Sequence, residues 1–400
     1  MIKKNIIYTG AFRFPEGDAA AARVLSNAKI LKALGYKVTF VSWGGKPLDS
    51  DKGEDGNYYY EGFRYFNTND IDIKQTNILG RIYDHFDSGK TSLRLIRQMI
   101  HYSDIIIGYN PPMFFTNKIL KLCKSHNIPF VSDITEWSDS NEFPGGSFAP
   151  PSWINELNMS FTQKKVKNKI VISTYLNGYY KSSNNIILPP LSDKDEEKWK
   201  MKSHVMPESI AKFKGIRLIY AGTPAKKDNL FIVLKAVIKL VKEDIPLQFI
   251  VLGVNKTDIR HLDIYEDIIK MSKNIILLGV LPQNMVPYYY SLSDFSIIIR
   301  MPIKKNMAGF PTKFIESFIA GVPVISTNTS DIGKYLKTDK NGILLNGNSL
   351  EEILIGLRKL FRYSKEEIRR IKIDTRVDGY ANFHYTEFIS KFQTFINNLK

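Results

Sequence analysis

The sequence predicts an α/β protein made of two successive Rossmann-like domains, each built on a parallel sheet. Three observations predict it. Short runs rich in Ile and Val alternate with segments of helical period, the pattern of βαβ units. The alternation breaks at a polar, Lys/Asp/Glu-rich stretch after Pro190 and then restarts. A chain of 400 residues at 44% hydrophobic composition is also long and apolar enough for two cores.

Residues 4–9 read as the first buried strand, followed by the loop 10–18. A helix follows from Asp18, a good N-cap, to Leu34, and Gly35 is placed to end it. Residues 37–42 form the next strand, which completes a βαβ unit. Strands are expected at 62–66 and 105–108 with a helix over 92–101 between them. Residues 119–125 read as helix, 129–134 as strand, and 168–173 closes the first set. The first domain therefore spans 1–190 and the second 191–379. In the second, strands are expected at 217–221, 247–252, 274–278, 295–300 and 322–326, and helices at 228–241, 286–292 and 349–361. A last helix covers about 385–399. Ligands bind outside the carboxyl ends of parallel strands, so the strand-to-helix loops of both domains are expected to face a cleft.

The net charge of +16 favours anionic partners: nucleotide or lipid diphosphates, or an anionic membrane surface. No zinc-finger spacing, RNA-binding strand motif or zipper heptad accompanies it, so nucleic acid is not expected as a partner. The single cysteine, Cys123, excludes an internal disulfide and reads as a small buried hydrophobe in a cytoplasmic protein. No apolar run of about 18 residues is present to span a bilayer, and the N-terminus does not read as a signal peptide. Six histidines without ligand spacing, and no Cys/His cluster, predict no metal.

The most informative stretch is 309–327, GFPTKFIESFIAGVPVIST. It reads as a loop (Gly309, Phe310), a short amphipathic helix opening at Thr312 and Lys313 and carrying Glu316, then Gly321 and a buried strand. A helix N-terminus offers N–H donors and positive potential to phosphates. A carboxylate a turn further in accepts paired hydrogen bonds from ribose hydroxyls. The bland alternative, Glu316 as a surface residue on an ordinary helix, is the rule for a lone glutamate.

This stretch resembles the donor-site segment of glycosyltransferase family 4, the group 1 glycosyltransferases of GT-B fold. The family's second motif glutamate corresponds to Glu316, followed by Ala320, Gly321, Pro323, Val324 and Ile325 as in the family. The first motif glutamate does not match: Ala308 stands there. Subgroups that build bacterial surface polysaccharides carry a Pro-x-Lys-x-x-Glu form, which Pro311, Lys313 and Glu316 fit. The resemblance implies two Rossmann-like domains with parallel sheets facing across a cleft, and a C-terminal helix crossing back to the first.

Further segments carry the same resemblance. The loop after the first strand of the second domain, Gly222 to Asn229, holds the family's diphosphate-neutralising Arg and Lys; here Thr223 takes the Arg position and Lys226 or Lys227 the Lys position. Arg300, after three isoleucines, sits at the rim of the sheet and either replaces the missing arginine or forms a structural ion pair. Gly17, before the Ala-rich helix start, lets backbone approach a ligand. Asp133 and Glu136 are expected on a cleft-facing loop after a strand, as candidate catalytic carboxylates toward an acceptor hydroxyl or as a helix cap and loop ion pair. Asp70-Ile-Asp72 has the form of a metal-binding Asp-x-Asp, but its surroundings do not support that reading. Residues 78–100 mix arginines with aromatics and aliphatics, and read either as a membrane-surface segment or as an ordinary core-facing helix.

The resemblance implies a retaining, metal-independent glycosyltransferase without a bound cofactor. It would use a nucleoside-diphosphate-sugar as donor and a glycan or lipid-linked oligosaccharide as acceptor, in capsular, exopolysaccharide or lipopolysaccharide assembly. Its place would be cytoplasmic, peripheral at the inner face of the cell membrane. Two alternatives stay open: a non-catalytic nucleotide- or sugar-binding protein, and a nucleotide-sugar epimerase of similar architecture.

Overall fold

The computed structural model describes residues 4–15, 18–71, 89–143, 145–181, 183–200, 206–223 and 228–400. The chain divides into two compact units. The first comprises Met1–Leu191, Ala308–Phe310 and Tyr385–Lys400, and the second Ser192–Met307 and Pro311–His384.

In the first unit β1 (Asn5–Arg13), α1 (Ala19–Ala33) and β2 (Lys37–Gly44) form the leading βαβ unit. Asp18 caps α1 by accepting from Ala21 N at 2.8 Å, and Gly35 follows at φ 87°, a left-handed turn that glycine enters without strain. Then come β3 (Tyr58–Tyr60), β4 (Phe63–Asn67), α2 (Lys90–Met99), β5 (Ile105–Tyr109), α3 (Met113–Ser125) and β6 (Phe130–Ile134). The unit continues with α4 (Pro150–Leu157), a π turn over Asn158–Thr162, β7 (Asn168–Val171), α5 (Thr174–Tyr179) and β8 (Asn184–Ile187). The sheet order is β3-β4-β2-β1-β5-β6-β7-β8, parallel except for the β3–β4 pair. The inner strands are nearly continuous Ile/Val runs because both sheet faces are covered. One face packs Tyr8, Phe40 and Ile107 under α1; the other packs Ile7, Val41 and Ile106 under α2 and α3.

The second unit repeats the plan: β9 (Ile216–Ala221), α6 (Leu230–Lys242), β10 (Leu247–Leu252), α7 (Tyr265–Lys270), β11 (Ile275–Leu277), α8 (Val286–Ser291) and β12 (Phe295–Ile298). It continues with α9 (Lys304–Ala308, whose last residue groups with the first unit), α10 (Thr312–Ala320), β13 (Val324–Thr327), β14 (Gly342–Leu345), α11 (Leu350–Leu360) and α12 (Lys365–Phe383). Its six strands run in the order β11-β10-β9-β12-β13-β14, all parallel. The order reverses between β9 and β12, the kind of switch point that opens a crevice at the strand carboxyl ends. The chain ends in α13 (Ile389–Asn397), whose Phe392, Phe395 and Ile396 join the first unit's core beside Ile6 and Leu188.

Three details differ from the sequence reading. The helix expected from 228 begins at Leu230, because Asp228 is drawn into an antiparallel bridge with Arg300. The strand expected to reach Arg300 ends at Ile298, for the same reason. Strands β3, β8 and β14 and the 19-residue α12 lack a pattern that stands out in the sequence, and they form where a sheet edge or a packed helix receives them. Cys123 is buried as read, its thiol pushed up to about 12 by burial. Asp70 caps α2, accepting from Thr91 N at 3.1 Å and Ser92 N at 2.9 Å; Asp72 lies outside the described residues.

Candidate functional site

The carboxyl ends of β9 and β12 bring together residues from three separate segments of the second unit. Asp228, with its side chain 5% exposed, is the centre. Its Oδ1 accepts from Arg300 Nε at 2.7 Å, and its Oδ2 accepts from Lys313 Nζ and Tyr220 Oη, both at 2.8 Å. Burial alone would raise the Asp228 carboxyl, but Lys313 and then Arg300 outweigh it and hold it down to about 2. The Lys313 ammonium also lies 4.0 Å from the centre of the Tyr220 ring, a cation–π contact. For Lys313 burial is the larger influence and lowers its pKa, with Asp228 acting against it. Burial thus makes the charge on Lys313 costly, a cost that an added anion would relieve.

Arg300 is fixed at backbone level too. Its N–H donates to Thr327 Oγ1 at 2.9 Å, and the Thr327 hydroxyl donates to Arg300 O at 2.7 Å. Of the two readings of Arg300, the structure displays the ion pair: its Nε is committed to Asp228.

Gly222 follows β9 with φ 128°, and a Cβ there would meet the Lys313 side chain at 3.5 Å. Thr223 beside it is exposed. Gly253, at the end of β10, was not singled out in the sequence. A Cβ at that position would come within 2.5 Å of the Gly222 carbonyl carbon, so the close approach of the two loops needs glycine. Lys226 and Lys227 lie outside the described residues, as does Gly17 in the first unit.

Thr312 opens α10, whose N-cap Pro311 supplies no side-chain hydrogen bond to the first turn. Glu316 is half-buried one turn on. Burial raises its carboxyl above the ordinary 4.5, while Lys198 and Lys313 pull the other way. Gly309 and Phe310 group with the first unit, where the Phe310 side chain is buried. Ala308 is completely buried, and its carbonyl accepts from Ser173 Oγ at 2.7 Å.

In the first unit the expectation for Asp133 is corrected. It lies on β6 itself, fully buried, instead of on a loop. Arg23 Nη2 pairs with Asp133 Oδ1 at 2.8 Å, and Tyr8 and Asn27 donate to Oδ2. A carboxylate so enclosed by a guanidinium and two donors has no face left for a substrate. Glu136, two residues beyond β6, is exposed. It lines a pocket of about 200 Å³ with Asn110, Pro111, Phe143, Asn155, Asn158 and Gln163, at the carboxyl ends of β5 and β6. Among the described residues, no lysine or arginine lines that pocket. Of the segment 78–100, the described part packs Leu93 and Ile96 into the core and leaves Arg94 and Arg97 exposed.

A cluster that sequence spacing could not show joins Asp193, Asp195 and His384, whose ligand-type atoms lie within 4.8 Å of one another. The two sides are about 190 residues apart in the chain, and a backbone bridge between Ser192 and His384 brings them together.

Residues 215–362, which hold the whole Asp228 cluster, match the family model described as glycosyl transferases group 1. The fold is GT-B. Sucrose-phosphate synthase from Thermosynechococcus elongatus aligns over 99% of this chain and 98% of its own, at TM-score 0.73 and 13% identity. A glycosyltransferase from Rickettsia africae aligns over 100% of both chains at TM-score 0.68 and 16% identity. Anabaena HepE, solved with UDP and glucose, aligns over 99% of this chain and 100% of its own, at TM-score 0.68 and 11% identity. No curated protein matches the sequence. The family match and the GT-B fold together support sugar transfer.

Proposed function

We propose that this protein moves a sugar from a nucleoside-diphosphate-sugar to a hydroxyl of a growing, lipid-linked glycan of the bacterial surface-polysaccharide type. The observation that carries the reading is the placement of Lys313 and Glu316 on α10, one turn apart, at the β9/β12 switch point. Lys313, Arg300 and the α10 N-terminus supply positive potential for a diphosphate, and Glu316 is placed to accept from ribose hydroxyls. In the reaction these cations stabilise the negative charge that grows on the departing diphosphate, so the chemistry is proposed to need no metal. The acceptor hydroxyl is assigned to the first unit, at the pocket where Glu136 offers a carboxylate. Retention of anomeric configuration and action at the inner face of the cell membrane complete the proposal. That HepE was solved with UDP and glucose supports a nucleoside diphosphate as the leaving group.

The test is thermal stability against a panel of nucleoside diphosphates and their sugars, with Glu316→Ala alongside. A ligand at about 100 times its dissociation constant adds roughly 2.7 kcal/mol, readily seen in melting. One nucleoside diphosphate should stabilise the wild type and stabilise Glu316→Ala much less. No stabilisation at millimolar concentration would sink the donor-site reading.

Two observations favour a second reading, a non-catalytic binder: the buried Ala308 at the family's first glutamate and Thr223 at its loop arginine. Nucleotide binding with neither transfer nor hydrolysis would establish it.

A further inference from the structure

The helix α4 has two faces of opposite character. Ile154, Asn155, Asn158 and Met159, on α4 and the π turn that continues it, line the Glu136 pocket. On another side the same segment turns large apolar side chains outward: Trp153 is 56% exposed, Leu157 46% and Phe161 64%. Their spacing of four and four residues places them on one stripe. Phe148, 87% exposed, extends it, and the Trp153 Nε1–H holds that approach in place by donating to Ser147 O at 2.6 Å. The exposed lysines Lys165 and Lys167 follow in the chain, after Lys164, whose ammonium lies 4.6 Å from the centre of the Tyr179 ring.

We propose that this stripe is a docking surface for the interface of an anionic lipid bilayer. The inference rests on the reading of a lipid-linked acceptor, and gives it a location on the first unit. Three features of the stripe select the occupant. Trp and Phe flanked by lysines are the side chains that settle at the headgroup level, with rings in the apolar boundary and ammonium groups toward anionic lipid. The stripe adjoins the pocket assigned to the acceptor, so an acceptor anchored in the bilayer would arrive beside Glu136. Lastly, the four side chains expose on the order of 500 Å², at the 150–250 Å² that an aromatic residue can bury. That is the size of the largest apolar patch on a typical monomer, about 300–600 Å², a patch that is often functional. No helix among the described residues is long and apolar enough to cross a membrane, so attachment through the described helices is peripheral.

The experiment is co-sedimentation of the full chain with vesicles of phosphatidylglycerol and phosphatidylethanolamine, compared with Trp153→Ser/Phe161→Ser. Both positions are exposed, and unchanged melting of the double variant confirms its fold. The wild type should bind, with a blue shift of tryptophan emission from Trp153. The double variant should lose about tenfold or more in partitioning, because two aromatic side chains no longer leave water. Equal binding by both proteins would overturn the stripe while leaving membrane attachment intact. Failure of the wild type to bind any vesicle would overturn both the stripe and the membrane reading. A wild-type dimer in sedimentation velocity that the double variant dissolves would assign the stripe to a second copy and overturn the proposal.

Discussion

Lys313 Nζ stands 2.8 Å from Asp228 Oδ2, joining two residues that the sequence separates by 85 positions. The pair is largely out of water, with side chains 12% and 5% exposed, and Arg300 shares the same carboxylate. One anion therefore orders two cations at the switch point of the second sheet. The arrangement carries an excess of positive charge where a diphosphate is proposed to bind.

Asp228→Asn removes that anion and leaves Arg300 and Lys313 without their shared counter-charge. Breaking a buried pair from one side costs about 3–5 kcal/mol, so the variant should unfold at clearly lower urea concentration. The Asp228 carboxyl falls from its ordinary 3.8 to about 2 on folding. A depressed acid stabilises the fold above its unfolded value and loses that contribution as pH falls through its folded value. The gap between wild type and Asp228→Asn should therefore be full at neutral pH and narrow by roughly 2 kcal/mol between about pH 4 and pH 2. A gap that is unchanged at pH 2 would refute the ion-pair account.

Glu316 has the opposite sign. Its carboxyl is raised by burial, so its contribution to stability is greatest below 4.5 and is lost as pH rises through the folded value. Without ligand at pH 7, Glu316→Gln should melt at or above the wild-type temperature, and the difference should vanish toward pH 4. With a saturating nucleoside diphosphate the order should reverse, since the carboxylate then has hydroxyl partners. Scanning calorimetry with and without ligand reads both halves.

Asp133→Asn should behave as a structural lesion. Arg23 is 4% exposed and would lose its only carboxylate among the described residues, again at about 3–5 kcal/mol. Urea unfolding should show the loss. The Tyr8 hydroxyl, whose pKa is pushed well up by burial and by Asp133, stays protonated through the whole working range.

Glu136→Gln should leave melting unchanged, since the side chain is exposed, yet lower kcat by about 10²–10⁴-fold if the carboxylate receives the acceptor proton. Steady-state kinetics on a purified acceptor decides it. A kcat within twofold of wild type would remove Glu136 from the reaction.

The contrast between Asp133 and Glu136 marks what a sequence can display. Both lie in one short segment, and alternation identifies a strand there. That residue 133 is enclosed there depends on Tyr109 and Ile170 pairing alongside it and on Arg23 reaching it from α1. That enclosure separates a buried carboxylate from an exposed one. Arg300 is similar: its place at the end of an isoleucine run was legible, but its partner, 72 positions earlier, was not. Gly253 likewise gave no local signal, because its role is set by the backbone of Gly222.

The sequence by itself determined the two α/β domains, the capped α1, and the loop–helix–strand run around Glu316. These follow from side-chain period, caps and turn residues, all of which act within a few positions of the chain. Only the tertiary structure decided the Asp228 hub, the Arg23–Asp133 pair, the meeting of Asp193 with His384, and the outward stripe on α4. Each of these depends on which segments lie side by side. Burial and charge pairing act through space, and a carboxylate's partner, or its lack of water, is fixed only when the sheets have formed.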